Sequence, residues 1–169
     1  LTGERTLADE LYMLQRKNDL LQQIISLMNT TTRLDNLLHY INDLVTMVTT
    51  AEASVLMVKE VVDGDNLTIK AVSNLDRRKL VGKEWPLSKG IIGETYCSGR
   101  ERIVNNAPSD SSHTPDLGTM LGIGIKSLIT IPLNSEGRLV GAIEAINKKD
   151  GLNFNEDDLE LASILADQA

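Results

Sequence analysis

Glu144 is the residue whose type and position most strongly suggest chemistry. It lies inside residues 139–146, a predicted strand that is otherwise apolar on both faces apart from one glycine. Such a strand is typical of the centre of a sheet that is covered on each side. An unpaired carboxylate there is unfavourable by several kcal/mol unless it has a partner, a hydrated cavity or a raised pKa. Glu144 therefore indicates either a ligand pocket on one face of the sheet or a buried ion pair with Lys126 or a similar cation.

The other candidate reactive groups lack the partners that catalysis needs. A nucleophile requires a base within hydrogen-bond reach and a third group that orients the base. The sequence holds one cysteine, Cys97, and two histidines, His39 and His113, and no motif joins them. Cys97 lies in a short apolar predicted helix, so we expect a buried, inert thiol. No group of residues has metal-ligand spacing, so we predict neither a catalytic nor a metal site.

Glycines near residue 90 permit a phosphate hypothesis. Lys89-Gly90-Ile91-Ile92-Gly93 opens a short predicted helix, where free backbone amides could face an anion. Glycine at such a turn is also explained by backbone geometry alone.

Composition restricts the partners and the compartment. The 169 residues allow one full core plus an extension, and the net charge of −7 argues against a nucleic-acid surface or direct contact with an anionic membrane. One cysteine excludes an internal disulfide, and no apolar run approaches the roughly 20 residues of a membrane span. We therefore expect a cytoplasmic protein. Because the sequence begins at Leu and stops inside a helical pattern, we also expect it to be part of a longer chain.

The first 30 residues predict a coiled-coil helix. Apolar residues recur at alternating spacings of four and three, and Asn18 falls at an a position, where a buried Asn can fix a parallel two-stranded register. The alternative is a single helix packed on its own domain, because Leu20, Ile24 and Leu27 widen the stripe. The predicted dimer seam consists of Leu7, Leu11, Leu14, Asn18, Leu21, Ile25 and Met28.

The remaining residues, 31–169, predict one α+β domain. Thr32 and Asp35 resemble a cap for a second helix, and Asn155 caps a last one. Between these helices, turn residues separate strand patterns, and an irregular segment at 105–124 has the length of a lid or binding loop. Antiparallel neighbours with helices at both ends of the chain indicate an α+β sandwich and not a doubly wound parallel sheet. The predicted strands are 53–62, 67–73, 80–87, 102–104, 128–131 and 139–146, and a short helix is predicted at 91–97.

From about residue 34 to its end, the sequence resembles a GAF domain, in particular those of cyclic-nucleotide phosphodiesterases and related cyclases. The family signature is Asn-Lys, a spacer, Phe, three residues and Asp-Glu; here Asn147, Lys148, Phe154 and Asp158 match, and Leu159 replaces the final Glu. In that family the Lys and Asp form a structural salt bridge outside the pocket. The resemblance also rests on residues 89–93, Gly99, 127–133 and 141–144.

The resemblance implies a central antiparallel sheet of about six strands with helices on both faces: the helices from the ends of the chain on one face, and a ligand pocket roofed by short helices and loops on the other. Family members that bind cyclic nucleotides use the strand Glu matching Glu144, and two threonines where this chain has Leu121 and Ile125. Losing both hydroxyls argues against a cyclic nucleotide, since each hydrogen bond contributes about 1 kcal/mol. Family members that bind a bilin covalently have a Cys-His pair where this chain has Ser112-His113, so we expect no covalent bilin. The other cofactor option is haem bound through His113. The predicted ligand-binding residues are Ile91, Ile92, Thr95, Asp110, Leu121, Ile125 and Glu144.

The expected function is regulatory and non-catalytic. We expect a ligand-sensing and dimerisation domain of a larger, bacterial-type signalling protein, binding an unidentified small molecule and pairing with a second copy through the terminal helices. The alternatives are a ligand-free dimeric spacer and a thiol-based reductase that uses Cys97; several cysteines serve the reductases of this fold, so the single cysteine disfavours the second.

Overall fold

The computed structural model describes residues 6–30 and 34–167, with the side chains of 26–30 and 34 excepted. The predicted cap at Thr32 and the side chains of Leu27 and Met28 lie outside this description. The helices are α1 Leu7–Thr30, α2 Leu34–Thr49, α3 Arg77–Leu80, α4 Gly90–Ser98, α5 Pro115–Leu121 and α6 Glu156–Ala166. The strands are β1 Ala51–Val58, β2 Asn66–Ser73, β3 Glu84–Pro86, β4 Arg102–Val104, β5 Leu128–Ser135 and β6 Arg138–Lys148, and 3-10 turns span Ala107–Ser109 and Lys149–Gly151.

The six strands form one antiparallel sheet in the order β3-β2-β1-β6-β5-β4, which confirms the predicted fold class. Strand β6 is central, and Glu144 lies opposite Val55 of β1 and Thr130 of β5. Close pairing at one point requires a glycine, because a Cβ on Gly141 would lie 2.1 Å from the carbonyl oxygen of Met57. The position of β6 explains why its residues are apolar on both faces.

Alternate residues of the sheet face two different cores. One face packs on α1, α2 and α6 through residues such as Leu56, Ile131 and Ile143. The opposite face packs on α3, α4 and α5 through residues such as Val55 and Ile146. Glu144 shares the side of Ala142 and Ile146, because residues two apart on a strand point the same way. Its carboxyl group is therefore directed towards the short helices.

The predicted strand 80–87 differs from the structure. Its beginning is a helical turn, α3, because Asp76 caps that turn by accepting a hydrogen bond from the backbone N–H of Lys79. Gly82 follows at a φ of 96°, with its backbone N–H donating to the carbonyl oxygen of Ile69 in β2, and the regular ladder with β2 is confined to β3. The propensity of single residues did not reveal this local cap.

Helix α1, near the start of the chain, packs against α6, near its end; with α2 they form the helix layer on one face of the sheet. Residues Met13, Leu20 and Ile24 of α1 are buried in the core that includes α6, and Lys17 forms an ion pair with Glu160. Helix α6 begins with a capping box between Asn155 and Asp158. No helix in the described ranges is both long and apolar enough to cross a bilayer. The predicted seam residues Leu7, Leu11, Leu14, Asn18, Leu21 and Ile25 all lie exposed on a different side of α1.

Candidate ligand-binding site

The carboxyl group of Glu144 is buried, and no described residue offers it a hydrogen bond or an opposite charge. It is 1% exposed, and neither carboxyl oxygen has a hydrogen-bond partner among the described residues. Burial raises the pKa of this carboxyl from 4.5 to about 8. The predicted alternative of a buried ion pair with Lys126 is wrong: Lys126 is exposed, and its hydrogen bonds are made by its backbone, whose N–H donates to Asn147 and whose carbonyl oxygen accepts from Ala107. The reason is that Lys126 precedes β5, outside the sheet.

Two threonines next to Glu144 direct their hydroxyl protons elsewhere. The hydroxyl of Thr130 donates to Thr95 Oγ1 over 2.7 Å, and the hydroxyl of Thr95 donates to the carbonyl oxygen of Ile91 over 2.9 Å. Both side chains are buried, and Thr130 lies directly opposite Glu144 in the sheet. These two hydrogen bonds therefore run from Thr130 through Thr95 to the backbone of α4, and neither hydroxyl group donates to the carboxyl group of Glu144. A group that supplied hydrogen-bond donors here would recover the desolvation penalty of the acid.

The structure brings six of the seven predicted ligand residues to one face of the sheet. Ile91, Ile92 and Thr95 lie on the buried side of α4, and Leu121 and Ile125 at the end of α5 and just after it. Together with Glu144 they form a closely packed layer that we call the acid layer. Asp110 lies outside this layer.

The carboxyl group of Asp110 is paired with the Arg102 side chain. It forms an ion pair with Arg102, and its carboxyl also accepts the backbone N–H of Ser112 over 3.0 Å. The Arg102 guanidinium hydrogen-bonded to Asp110 lowers the pKa of that carboxyl. Asp110 therefore stabilises the loop before α5.

An open hollow adjoins the acid layer on the far side of α5. It has a volume of about 660 Å³ and shares only Ile125 with the predicted ligand residues. Its walls include Pro108, His113, Pro115 and Ile123, all from the irregular segment or its end. The length of that segment was the only sequence signal, because its residues have no periodic pattern that would predict a shared wall.

Cys97 differs from its prediction. The thiol is exposed, with its Sγ 3.8 Å from the carbonyl oxygen of Leu87. The apolar neighbours that suggested burial, Ile91 and Ile92, occupy the inner side of α4, whereas Cys97 lies on its outer side. No group of three His, Cys, Asp or Glu residues suited to a metal occurs in the described part of the chain.

The glycines of the phosphate hypothesis serve backbone geometry. Gly90 has a φ of 70°, and a Cβ on Gly93 would lie 2.5 Å from the carbonyl oxygen of Leu87. The Lys89 ammonium group is engaged by Asp116.

The family-motif residues connect the loop after α5 to the sheet. Asn147 accepts the backbone N–H groups of Lys126 and Ser127 at 2.8 and 3.2 Å, and donates to the carbonyl oxygen of Gly124 at 2.8 Å and to Glu52 at 3.1 Å. Its φ of 59° is one that Asn tolerates better than most residues. The buried Lys148 ammonium lies 2.7 Å from Asp158 Oδ2, and Phe154 packs in the helix-side core.

Comparisons with known proteins agree with the observed fold. A family model described as GAF domain matches residues 31–169. Among curated proteins, the dual 3',5'-cyclic-AMP and -GMP phosphodiesterase 11A of Takifugu rubripes is 36% identical over 75 residues. A probable 3',5'-cyclic phosphodiesterase of Caenorhabditis elegans, pde-5, is 28% identical over 74 residues. The matches cover 43% and 44% of this chain but only 8% and 10% of those two proteins.

Solved structures share the fold at low sequence identity. The GAF domain of a Coxiella burnetii phosphoenolpyruvate-protein phosphotransferase has a TM-score of 0.75 at 21% identity, covering 92% of this chain and 88% of that one. Residues 122 to 287 of a methyl-accepting chemotaxis protein give 0.74 at 16%, covering 86% and 91%. A free methionine-R-sulfoxide reductase from Neisseria meningitidis, solved with its substrate, gives 0.69 at 20%, covering 90% and 87%.

Proposed function

Because this chain belongs to the GAF domain family, we propose that it is the regulatory, ligand-sensing and dimerisation part of a larger signalling protein. In this proposal residues 31–169 bind a small molecule on the acid layer, and residues 1–30 pair with a second copy. The domain itself is non-catalytic and cytoplasmic, and contacts neither nucleic acid nor membrane. Proteins with this fold include a chemotaxis protein and a phosphotransferase, which supports a signalling context.

The observation that carries the proposal is the unsatisfied carboxyl group of Glu144. Close packing with no hydrogen bond to either oxygen is unfavourable for folding, and a purely structural strand position would be filled better by an apolar residue. Functional sites are where such unfavourable groups are retained. Leu117 and Leu121 of α5 are buried in the same apolar cluster as Ile91 and Ile92 of α4, so in this proposal the short helices shift to admit a ligand to Glu144.

Isothermal titration tests ligand binding. The wild-type chain, Glu144→Ala and the exposed control Glu84→Ala are titrated with one panel of metabolites. We expect a ligand that binds wild type and Glu84→Ala equally and binds Glu144→Ala about 10- to 100-fold more weakly, the factor for leaving a buried polar group of the ligand without its hydrogen-bond partner. A ligand that binds Glu144→Ala as tightly as wild type would show that the acid layer is not its binding site. No binding across the panel would favour the ligand-free spacer.

The exposed side of α1 supports dimerisation. Leu7, Leu11, Leu14, Leu21 and Ile25 are 44–72% exposed, while the residues that pack on the domain occupy a different side of the same helix. A row of exposed leucines at heptad spacing is unfavourable in water unless a second helix covers it. The exposed Asn18 lies within that row, where it can pair with its own copy.

Light scattering tests the dimer. Leu14→Lys with Leu21→Lys places charge in the seam, and we expect the mass to fall from that of a dimer to that of a monomer. Gln23→Lys with Asp19→Asn changes the charge by the same amount at exposed positions that lie away from the seam, and it should leave the dimer intact. A dimer that survives the leucine substitutions would contradict the seam.

A reductase activity is the second candidate, because the Cys97 thiol is exposed and one structure of this fold is a methionine sulfoxide reductase. The sequence has no second cysteine to resolve an oxidised thiol within one chain. Reduction of free methionine sulfoxide that Cys97→Ser abolishes would establish this activity, and the absence of turnover in wild type would exclude it.

A further inference from the structure

The open hollow beside α5 has features of a binding site of its own, and of the acid layer it shares only Ile125. Its volume of about 660 Å³ falls within the roughly 300–1,000 Å³ of small-molecule sites. None of its lining residues is Asp, Glu, Lys or Arg. We propose that this hollow binds a small, flat, uncharged heteroaromatic molecule, at a site separate from Glu144.

Gly124 indicates that the space is kept open. A Cβ built on Gly124 meets nothing within 4 Å, and its backbone does not adopt the positive φ that requires glycine. Gly118 is different, because its Cβ would lie 2.6 Å from the carbonyl oxygen of Ile123. Neither conformation nor packing therefore requires a glycine at position 124, and its effect on the structure is to leave the wall of the hollow bare.

The chemistry of the walls specifies the class of ligand. The rings of Pro108 and Pro115 and the branched side chains of Ile123 and Ile125 offer apolar surface against which an aromatic ring can pack. The half-buried imidazole of His113 provides a hydrogen bond for one ring nitrogen. An anionic ligand would find no Lys or Arg in the lining to neutralise it.

The hollow is also mechanically connected to the sheet. The carbonyl oxygen of Gly124, in its wall, accepts the hydrogen bond from Asn147 Nδ2 at 2.8 Å. Asn147 in turn bonds to Glu52 of β1, and the next residue, Lys148, is paired with Asp158 of α6. A molecule that displaces Gly124 therefore changes a hydrogen bond at the end of β6, next to the helix layer.

Amide NMR with indole as the probe tests this site. In ¹H–¹⁵N spectra of the wild-type chain, we expect saturable shifts at residues 113 and 118–125, together with a shift of the side-chain NH₂ of Asn147. The matched control is the side-chain NH₂ of Asn105, which donates to the carbonyl oxygen of Phe154 at 3.1 Å and should not move. Gly124→Leu fills the hollow and should weaken indole binding at least tenfold, with Gly124→Ala intermediate; the spectra themselves verify that each variant is folded.

The position of the site is tested by Glu144→Gln, which should bind indole as tightly as wild type. Shifts centred on Ile91 and Ile92 and lost in Glu144→Gln would place the probe on the acid layer and overturn the separate site. Shifts that remain linear with concentration, or that Gly124→Leu does not reduce, would overturn it as well.

Discussion

Replacing Glu144 by Gln should make the chain more stable at high pH and little different at low pH. Below pH 4.5 the carboxyl is protonated in the folded and unfolded states, so burial adds no ionisation penalty. Between pH 4.5 and about 8 the unfolded chain releases the proton while the folded chain retains it. The free energy of unfolding of wild type therefore falls by about 1.4 kcal/mol per pH unit in that window, and the loss is constant above pH 8.

The size of the effect follows from the pKa. A rise from 4.5 to about 8 corresponds to a loss of about 5 kcal/mol by pH 8.5, a large share of the stability of a typical domain. Gln has nearly the same shape, carries no proton to lose, and leaves the same kind of unpaired polar group. We expect Glu144→Gln to lie within about 1 kcal/mol of wild type at pH 5 and to be more stable by about 4 kcal/mol at pH 8.5.

Urea unfolding followed by circular dichroism between pH 5 and 9 measures this difference. Glu84→Gln removes the same charge from an exposed edge strand and should track wild type at every pH. A constant difference between wild type and Glu144→Gln across the range would show that the acid is ionised or solvated in the folded chain, and would refute the reasoning.

Three further substitutions test the framework of the site by urea unfolding. Lys148→Met leaves the buried Asp158 carboxylate unpaired and should destabilise the chain by about 3–5 kcal/mol. Asn147→Gly keeps the positive φ but removes four hydrogen bonds, for a loss of about 3 kcal/mol. Gly141→Ala forces a Cβ against the carbonyl oxygen of Met57 and should cost at least about 3 kcal/mol or prevent folding.

Matched controls accompany these variants. Lys70→Met removes a cation whose partners, Glu60 and Asp35, are exposed, and the loss should stay below about 1 kcal/mol. Gly124→Ala adds a methyl group in open space and should be close to neutral. Equal losses in Lys148→Met and Lys70→Met would contradict a buried ion pair, and a well-folded Gly141→Ala would contradict the close strand contact.

The sheet could be predicted from the sequence because its strands carry local signals. Residues 128–131 and 139–146 are rich in apolar and β-branched residues, and Asn134 to Gly137 between them have turn chemistry, so the sequence indicates both β5 and β6. The burial of Glu144 followed from the apolar residues on either side of it. By contrast, α3 depends on a side-chain cap at Asp76, which propensities do not reveal.

The surroundings of the site could be predicted only in part. The sequence left a pocket and an ion pair as equal explanations of Glu144, because the position of Lys126 depends on how the loop after α5 is tethered by Asn147. The exposure of Cys97 depends on which side of α4 faces the sheet, and a nine-residue helix offers few apolar residues to decide it. The hollow is formed by residues from 108 to 125 that come together only when the loop folds.

Native mass spectrometry of the purified chain tests ligand sensing most directly, since it measures subunit number and retained small molecules together. The proposal predicts a dimer of wild type that carries an additional small-molecule mass, and a Glu144→Ala dimer of the bare polypeptide mass. If the wild-type and Glu144→Ala proteins retain the same additional small-molecule mass, or if neither retains any, the result would contradict a ligand site at Glu144.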